Sequence, residues 1–243
     1  MAFKKTYVAI TLLILTLSAC SFPQNHEPVK HQQVTNNTAS QQDGYVLKGD
    51  VRNINDHLDW TNIELNTIYF AGGCFWGVEA FMARIYGVYD VTSGYANGEG
   101  VNPKYEDVVI GKGKFAETVR IKYDPQRVSL ESLINKLFLV IDPTSVNQQG
   151  NDIGVQYRTG IYYEEQADAS VIETVIHEQQ KQYDDDIVTE AKPLKNFYRA
   201  EDEHQDYLEK NPNGYCHINL SILNTFTIDP ISKDKAIVQS LSK

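Results

Sequence analysis

From Ile68 onward two hydrophobic periodicities alternate along the chain, and their order predicts the architecture. Ile68-Tyr69-Phe70-Ala71 is a short apolar run stopped by Gly72-Gly73, the pattern of a buried strand. Val78, Phe81, Met82 and Ile85 then recur at helical spacing and predict a helix over 75–86. A strand over 88–95 follows, then a loop rich in Gly and Asn. Two further strands are predicted at 107–110 and 117–123. In the second, Val119, Ile121 and Tyr123 alternate with Arg120 and Lys122, and Asp124-Pro125 ends it. Leu133, Leu137 and Val140 mark a helix over 130–141. The pattern closes with a strand over 155–163, a long helix over 164–183, a strand over 187–191 and a short polar helix over 198–208. This order is that of a split βαβ, ferredoxin-like core. The expected fold class is therefore α+β, a two-layer sandwich or roll over residues 66–224, with 225–243 as a C-terminal tail.

The N-terminal third has a different character. Residues 21–44 are rich in Gln, Asn, His, Thr and Ser and cannot bury enough apolar surface to fold, so they read as a tether. Val51, Ile54, Leu58 and Ile63 mark a short amphipathic segment able to pack on the domain. Ahead of the tether, Lys4 and Lys5 precede an uncharged apolar run, Tyr7 to Leu17, and then Ser18 and Ala19. The run is short for a bilayer span and reads as a cleaved secretory signal. Leu17-Ser18-Ala19-Cys20 resembles the lipobox of bacterial lipoproteins. That resemblance implies cleavage before Cys20, acylation of its sulfur and amine, and a bacterial cell-envelope location, lipid-anchored to a membrane on its periplasmic or outer side. Several acyl chains anchor stably, at about 0.8 kcal/mol per buried methylene. The expected division is a signal peptide at 1–19, a lipidated N-terminus and tether at 20–65, the domain at 66–224 and the tail at 225–243.

Composition changes this picture little. The chain has 243 residues, 42% hydrophobic and 22% charged, enough for a sizeable core without disulfides or metals. Its formal net charge of −10, with no dense Lys/Arg cluster, argues against nucleic acid as a partner. Loss of Lys4 and Lys5 with the signal takes −10 to −12.

The cysteines carry the candidate chemistry. With Cys20 lipidated, Cys74 and Cys216 remain. Two thiols in an oxidising compartment commonly form a structural bridge, and a non-enzymatic surface lipoprotein with a Cys74–Cys216 disulfide is the alternative reading. Cys74, however, sits where a predicted strand meets a predicted helix. There the helix dipole and free N–H groups favour thiolate, which predicts a lowered pKa. Phe75 and Trp76 place aromatic surface beside it, suited to an apolar, polarised methyl group. A Cys74–His204 nucleophile–base pair and a zinc site from Cys74, His204, Cys216 and His217 are arithmetically open, although the latter lacks a CxxC arrangement.

Gly73-Cys74-Phe75-Trp76-Gly77 resembles the signature of the peptide methionine sulfoxide reductase A family. Further segments follow in the family's order: Gly94-Tyr95-Ala96-Asn97-Gly98, Asn102 to Val108, Ala116-Glu117-Thr118-Val119 and Asp142-Pro143-Thr144. Gln149 to Gly154, Gln156-Tyr157-Arg158, Ala200-Glu201, His204-Gln205 and Asn211 to Cys216 complete the series. The resemblance implies reduction of the S epimer of methionine sulfoxide, free or in peptides, with Cys74 as nucleophile and Glu117 as the acid on the sulfoxide oxygen. It implies hydrogen bonds to that oxygen from Tyr105 and Tyr157, a substrate contact from Asp152, and an apolar wall from Phe75 and Trp76. Cys216 would resolve the Cys74 sulfenic acid as a disulfide, recycled by an external dithiol such as thioredoxin or a thioredoxin-like envelope protein. No metal and no bound cofactor are implied. Bottom-up, Glu117 needs burial to stay protonated near neutral pH. The chain departs from the family pattern at Lys114 and Phe115, at Ile141 and at Glu203. The first two stand close enough to the acid to bear on its pKa and on the substrate range.

Overall fold

The computed structural model describes residues 45–46 and 53–241. The signal peptide, Cys20 and residues 21–44 of the tether lie outside the described residues. Among the described residues no helix is long and apolar enough to cross a membrane. In chain order the elements are β1 (Tyr45–Val46), β2 (Asn66–Gly72), α1 (Phe75–Met82), β3 (Val88–Ala96), α2 (Tyr105–Val109), β4 (Ala116–Tyr123), α3 (Leu130–Phe138), β5 (Gln148–Gln149) and β6 (Asp152–Ile153). Then follow β7 (Thr159–Tyr163), α4 (Gln166–Gln180), β8 (Glu190–Pro193), β9 (Phe197–Arg199), α5 (Tyr207–Lys210), β10 (Thr227–Ile228) and α6 (Lys235–Leu241).

The main sheet runs β8-β7-β2-β4-β3-β9, antiparallel throughout except for the parallel β7–β8 edge. Its inner four strands, β7-β2-β4-β3, have the order and alternating direction of a ferredoxin-like core, with α1 and α3 as the two crossovers. Period-2 alternation sorts the side chains. Ile68 and Phe70 of β2 join Val119 and Ile121 of β4 against Phe81, Met82, Leu133 and Leu137 of the helices. Tyr69 and Ala71 point the other way, into a thinner cluster with Ala96, Ala116 and Tyr162, covered by Leu194 and Phe197.

Three predicted elements differ. Residues 107–110 were expected as a strand and instead form the end of α2 with Ile110 as its C-cap, because Lys104 opens a helical turn: its carbonyl accepts from Val108 N–H and its own N–H reaches Asp107 Oδ2 at 3.4 Å. An apolar run of four cannot by itself distinguish the two periods. The strand expected from 155 starts at Thr159, after a 3-10 turn over Val155–Tyr157. The polar helix expected over 198–208 is a strand, β9, then a 3-10 turn over Asp202–His204 and the short α5.

The segment set apart as a tail packs on the domain. Val238 is buried with Ile54, Leu58, Tyr86 and Ile228, and β1 pairs with β10. An ion network fixes this arrangement. The Arg127 guanidinium donates to Asp234 Oδ2 at 2.7 Å, Asp124 Oδ2 at 2.9 Å and the Asp59 carbonyl at 2.9 Å, and Tyr86 Oη donates to Asp234 at 2.7 Å. No hydrophobic period announces such a contact. Burial acts to raise the Asp234 pKa, but the bonds from Arg127 and Tyr86 outweigh it and hold the carboxyl below the usual range. The network sits where β3 begins and β4 ends, the end of the sheet opposite Gly72. Removing one partner of a buried pair leaves a charge uncompensated, so Asp234→Ala is expected to cost about 3 kcal/mol in urea unfolding at pH 7. Because the folded pKa is depressed, this contribution is present at neutral pH and is lost as pH falls through that pKa.

Candidate active site

Three central elements converge at one end of the sheet. β2 ends at Gly72, Cys74 is the N-cap of α1, and Glu117 opens β4 opposite Tyr95 of β3. The turn between β2 and α1 depends on Gly73, whose φ is +84° and where a Cβ would stand 2.6 Å from the Cβ of Gln149. Gln149 is held over that turn by two bonds to the Asp142 backbone, accepting from its N–H at 2.8 Å and donating to its carbonyl at 2.7 Å.

Cys74 is 6% exposed. The expected lowering of its pKa is not what the structure shows. Burial pushes the thiol up, the neighbouring Glu117 adds to this, and the N–H groups of Trp76 and Gly77 only partly oppose them. The helix N-terminus is present, as the sequence indicated, but desolvation outweighs it, so the resting group is a thiol. Glu117 is 1% exposed, and its Oε2 accepts from Phe75 N–H at 3.1 Å. Burial raises its carboxyl to about 8 against that bond, with Asp152 contributing in the same direction. Lys114 is exposed, while Phe115 is buried against Gly98, Gly113 and Tyr198. Burial also raises Tyr105 to about 12 and raises Tyr157 further, so both phenols stay protonated. The charges of Glu117, Asp152 and Cys74 bear on each of them.

A wall of rings closes one side. Phe75 lies 5.9 Å from Tyr95 and 5.5 Å from His204, Tyr105 lies 4.4 Å from His204, and Trp76 stacks on Tyr207 at 3.8 Å and 13°. An indole nitrogen only donates, so the 3.3 Å contact from Trp76 Nε1 makes His204 Nδ1 an acceptor. Burial lowers the His204 pKa, keeping the ring neutral. His204 thus serves Trp76 and not Cys74, which removes the support for a cysteine–histidine hydrolase. Glu201 ties the wall together, accepting from Tyr95 Oη at 2.8 Å and Tyr105 N–H at 3.2 Å.

The segment 215–218 lies over the nucleophile's turn. Tyr215 Oη donates to Asp152 Oδ2 at 3.0 Å, and His217 Nε2 stands 3.1 Å from the Gly72 carbonyl. Cys216 Sγ contacts the Ile218 carbonyl at 3.2 Å and would lie 3.1 Å from a Cβ on Gly77, one helical turn from Cys74. Both cysteines are free thiols. Among the described residues no group of three or more His, Cys, Asp or Glu side chains is placed to hold a metal ion.

Every residue singled out within the domain therefore falls in this site: Cys74, Phe75, Trp76, Tyr105, Glu117, Asp152, Tyr157 and Cys216. Sequence reasoning missed the supporting shell of Tyr95, Gln149, Glu201, Tyr207 and His217. His217 had entered only as a member of the zinc set. Tyr95, Gln149 and Glu201 stand inside the quoted motifs, which was the available signal, and nothing in the sequence marked Tyr207.

The comparisons with known proteins agree with this geometry. The family described as peptide methionine sulfoxide reductase matches residues 66–235. The peptide methionine sulfoxide reductase MsrA of Clostridium perfringens is 54% identical over 156 residues, 64% of this chain and 99% of the relative. The crystal structure of Mxr1 from Saccharomyces cerevisiae in reduced form superposes with a TM-score of 0.61 at 36% identity, covering 65% of this chain and 96% of that one. Methionine sulfoxide reductase A of Corynebacterium diphtheriae gives 0.57 at 36% identity, covering 63% and 77%. The chain, with its buried Cys74–Glu117 pair, belongs to the peptide methionine sulfoxide reductase family.

Proposed function

We propose that this protein reduces the S epimer of methionine sulfoxide, free or in proteins, at an envelope membrane where it repairs oxidised proteins. The observation that carries the chemistry is the protonated, buried Glu117 beside the Cys74 thiol, in a site that also holds the Tyr105 and Tyr157 phenols and the rings of Phe75 and Trp76. A sulfoxide sulfur is a stereocentre. With its methyl against Phe75 and Trp76 and its oxygen toward Glu117, Tyr105 and Tyr157, only one epimer directs its sulfur at Cys74. The S hand follows from the family.

The reaction balances within the site. Glu117 gives its proton to the sulfoxide oxygen as Cys74 Sγ attacks the substrate sulfur. The thiol proton passes to the Glu117 carboxylate and restores the acid. The OH then moves to Cys74 as the substrate sulfur leaves, giving sulfenic acid and methionine. Cys216 Sγ displaces that OH as water and forms the Cys74–Cys216 disulfide. A thioredoxin-like dithiol reduces it by exchange. Lipid on Cys20, with residues 21–44 as tether, would hold the domain at the membrane surface.

With dithiothreitol as reductant, turnover is expected for the S epimer alone and none for Cys74→Ser; turnover of the R epimer would contradict the reading. Glu117→Gln should lower the first step by about 10²–10⁴-fold, the usual span for a lost general acid. Gly77→Ala puts a methyl against the Cys216 sulfur. It should leave the first methionine per enzyme at its native rate in rapid-quench assays while slowing disulfide formation; equal slowing of both would place Cys216 outside the resolving step. Cys20→Ala is expected to move the full-length protein from the membrane to the soluble fraction, and unchanged fractionation would refute the lipid anchor.

A further inference from the structure

Cys216, the resolving thiol of the proposed reaction, is followed by a buried side chain that the chemistry above does not use. The His217 side chain is 6% exposed, and its ring lies in a slot between two glycine turns. A Cβ on Gly73, where φ is +84°, would stand 3.1 Å from His217 Cε1, and one on Gly150 would stand 3.6 Å from His217 Cβ. A side chain at Gly73 would therefore crowd the ring.

Inside the slot the ring makes one directed bond. Its Nε2 stands 3.1 Å from the Gly72 carbonyl, and a carbonyl oxygen only accepts, so Nε2 carries the proton. Burial lowers the ring's pKa against the pull of Asp152 and keeps it neutral, which leaves Nδ1 a bare acceptor. That nitrogen is buried without a hydrogen-bond partner, 3.9 Å from Asp152 Oδ2. An apolar side chain would fill the slot without stranding a nitrogen, so the bond to Gly72 is what a histidine adds here.

The bond joins the residue after one cysteine to the strand end that leads to the other, since Gly72 closes β2 and Cys74 caps α1. On the other flank of Cys216, Tyr215 Oη donates to Asp152 Oδ2 at 3.0 Å, but Tyr215 is 44% exposed and that bond is open to water. The buried anchor is the one at His217. Between the two, Cys216 Sγ lies against the first turn of α1, beside Gly77.

We infer that His217 is a positioning residue for the resolving step: its bond to the Gly72 carbonyl registers the 215–218 segment on the turn that carries Cys74 and so keeps Cys216 within reach of the Cys74 sulfenic acid. This rests on the proposed role of Cys216. In the step it serves, the Cys216 sulfur forms the S–S bond as the S–O bond of Cys74 breaks, and the thiol proton leaves with the OH as water. Attack within one chain owes its rate to such placement, and a misplacement of about 1 Å can cost about 100-fold. The first step, between Cys74 and the sulfoxide, makes no use of the bond.

The test mixes the reduced full chain with one equivalent of blocked methionine sulfoxide and no reductant. Quenched samples are read for methionine, for the linked Cys74–Cys216 peptide and for a dimedone adduct of the Cys74 sulfenic acid. His217→Leu, which fills the slot without a donor, is expected to release methionine within about threefold of the native rate, to close the disulfide about 10–100-fold more slowly and to accumulate the adduct. His217→Gln, whose amide can still donate to Gly72, should restore closure. His217→Ala should repeat the slow closure and serves should the leucine variant fail to fold. Closure at the native rate in the folded variant, or methionine release slowed by the same factor as closure, would overturn the inference. A native chain that releases methionine yet never links Cys74 to Cys216 would overturn the role of Cys216 itself, and the inference with it.

Discussion

The site depends on one carboxyl being kept out of water. Glu117 opens a central strand, is almost fully buried and has one backbone donor, the Phe75 N–H. A single neutral donor does not offset the loss of hydration around a carboxylate, so the proton stays on. Burial acts in the same way on Cys74, Tyr105 and Tyr157, so each of them also keeps its proton. Ionising Glu117 would place a negative charge against the thiol and both phenols at once. The protein accordingly holds four proton-bearing groups, Cys74, Glu117, Tyr105 and Tyr157, in one site.

The fold supplies that burial because Cys74 and Glu117 follow from adjacent central strands. β2 delivers Cys74 through Gly73, whose left-handed turn leaves room for Gln149 and His217 above it. β4 delivers Glu117 from the strand next to it. The second aromatic shell comes from the chain after β9, docked on β3 by Gln205 and Glu201. The C-terminal clasp of Arg127, Asp234 and Tyr86 is at the far end of the sheet. β1 pairs with β10 on the same side, away from Cys74 and Glu117.

Much of this was legible in the residues. The alternation in Val119, Ile121 and Tyr123 and the helical spacing of Leu133 and Leu137 located the core, because each element buries one face and its period is visible locally. The ordered motifs singled out side chains that the fold brings into one site. Other features depend on contacts distant in sequence. The 107–110 segment became helical through its Lys104 cap. The clasp rests on Arg127 meeting Asp234 across 107 positions. The Cys74 pKa went the opposite way to the sequence expectation, since a helix N-terminus can be read locally whereas desolvation by a whole fold cannot.

The most direct test of the account is the protonation state of Glu117 in the resting enzyme. Difference infrared spectroscopy of the carboxyl C=O stretch, with Glu117→Gln as the reference, follows that one group through a pH titration. The account predicts a protonated carboxyl at neutral pH that ionises only near pH 8. A carboxylate already ionised well below neutrality would contradict it, since the acid on which the whole site depends would then have no proton to give.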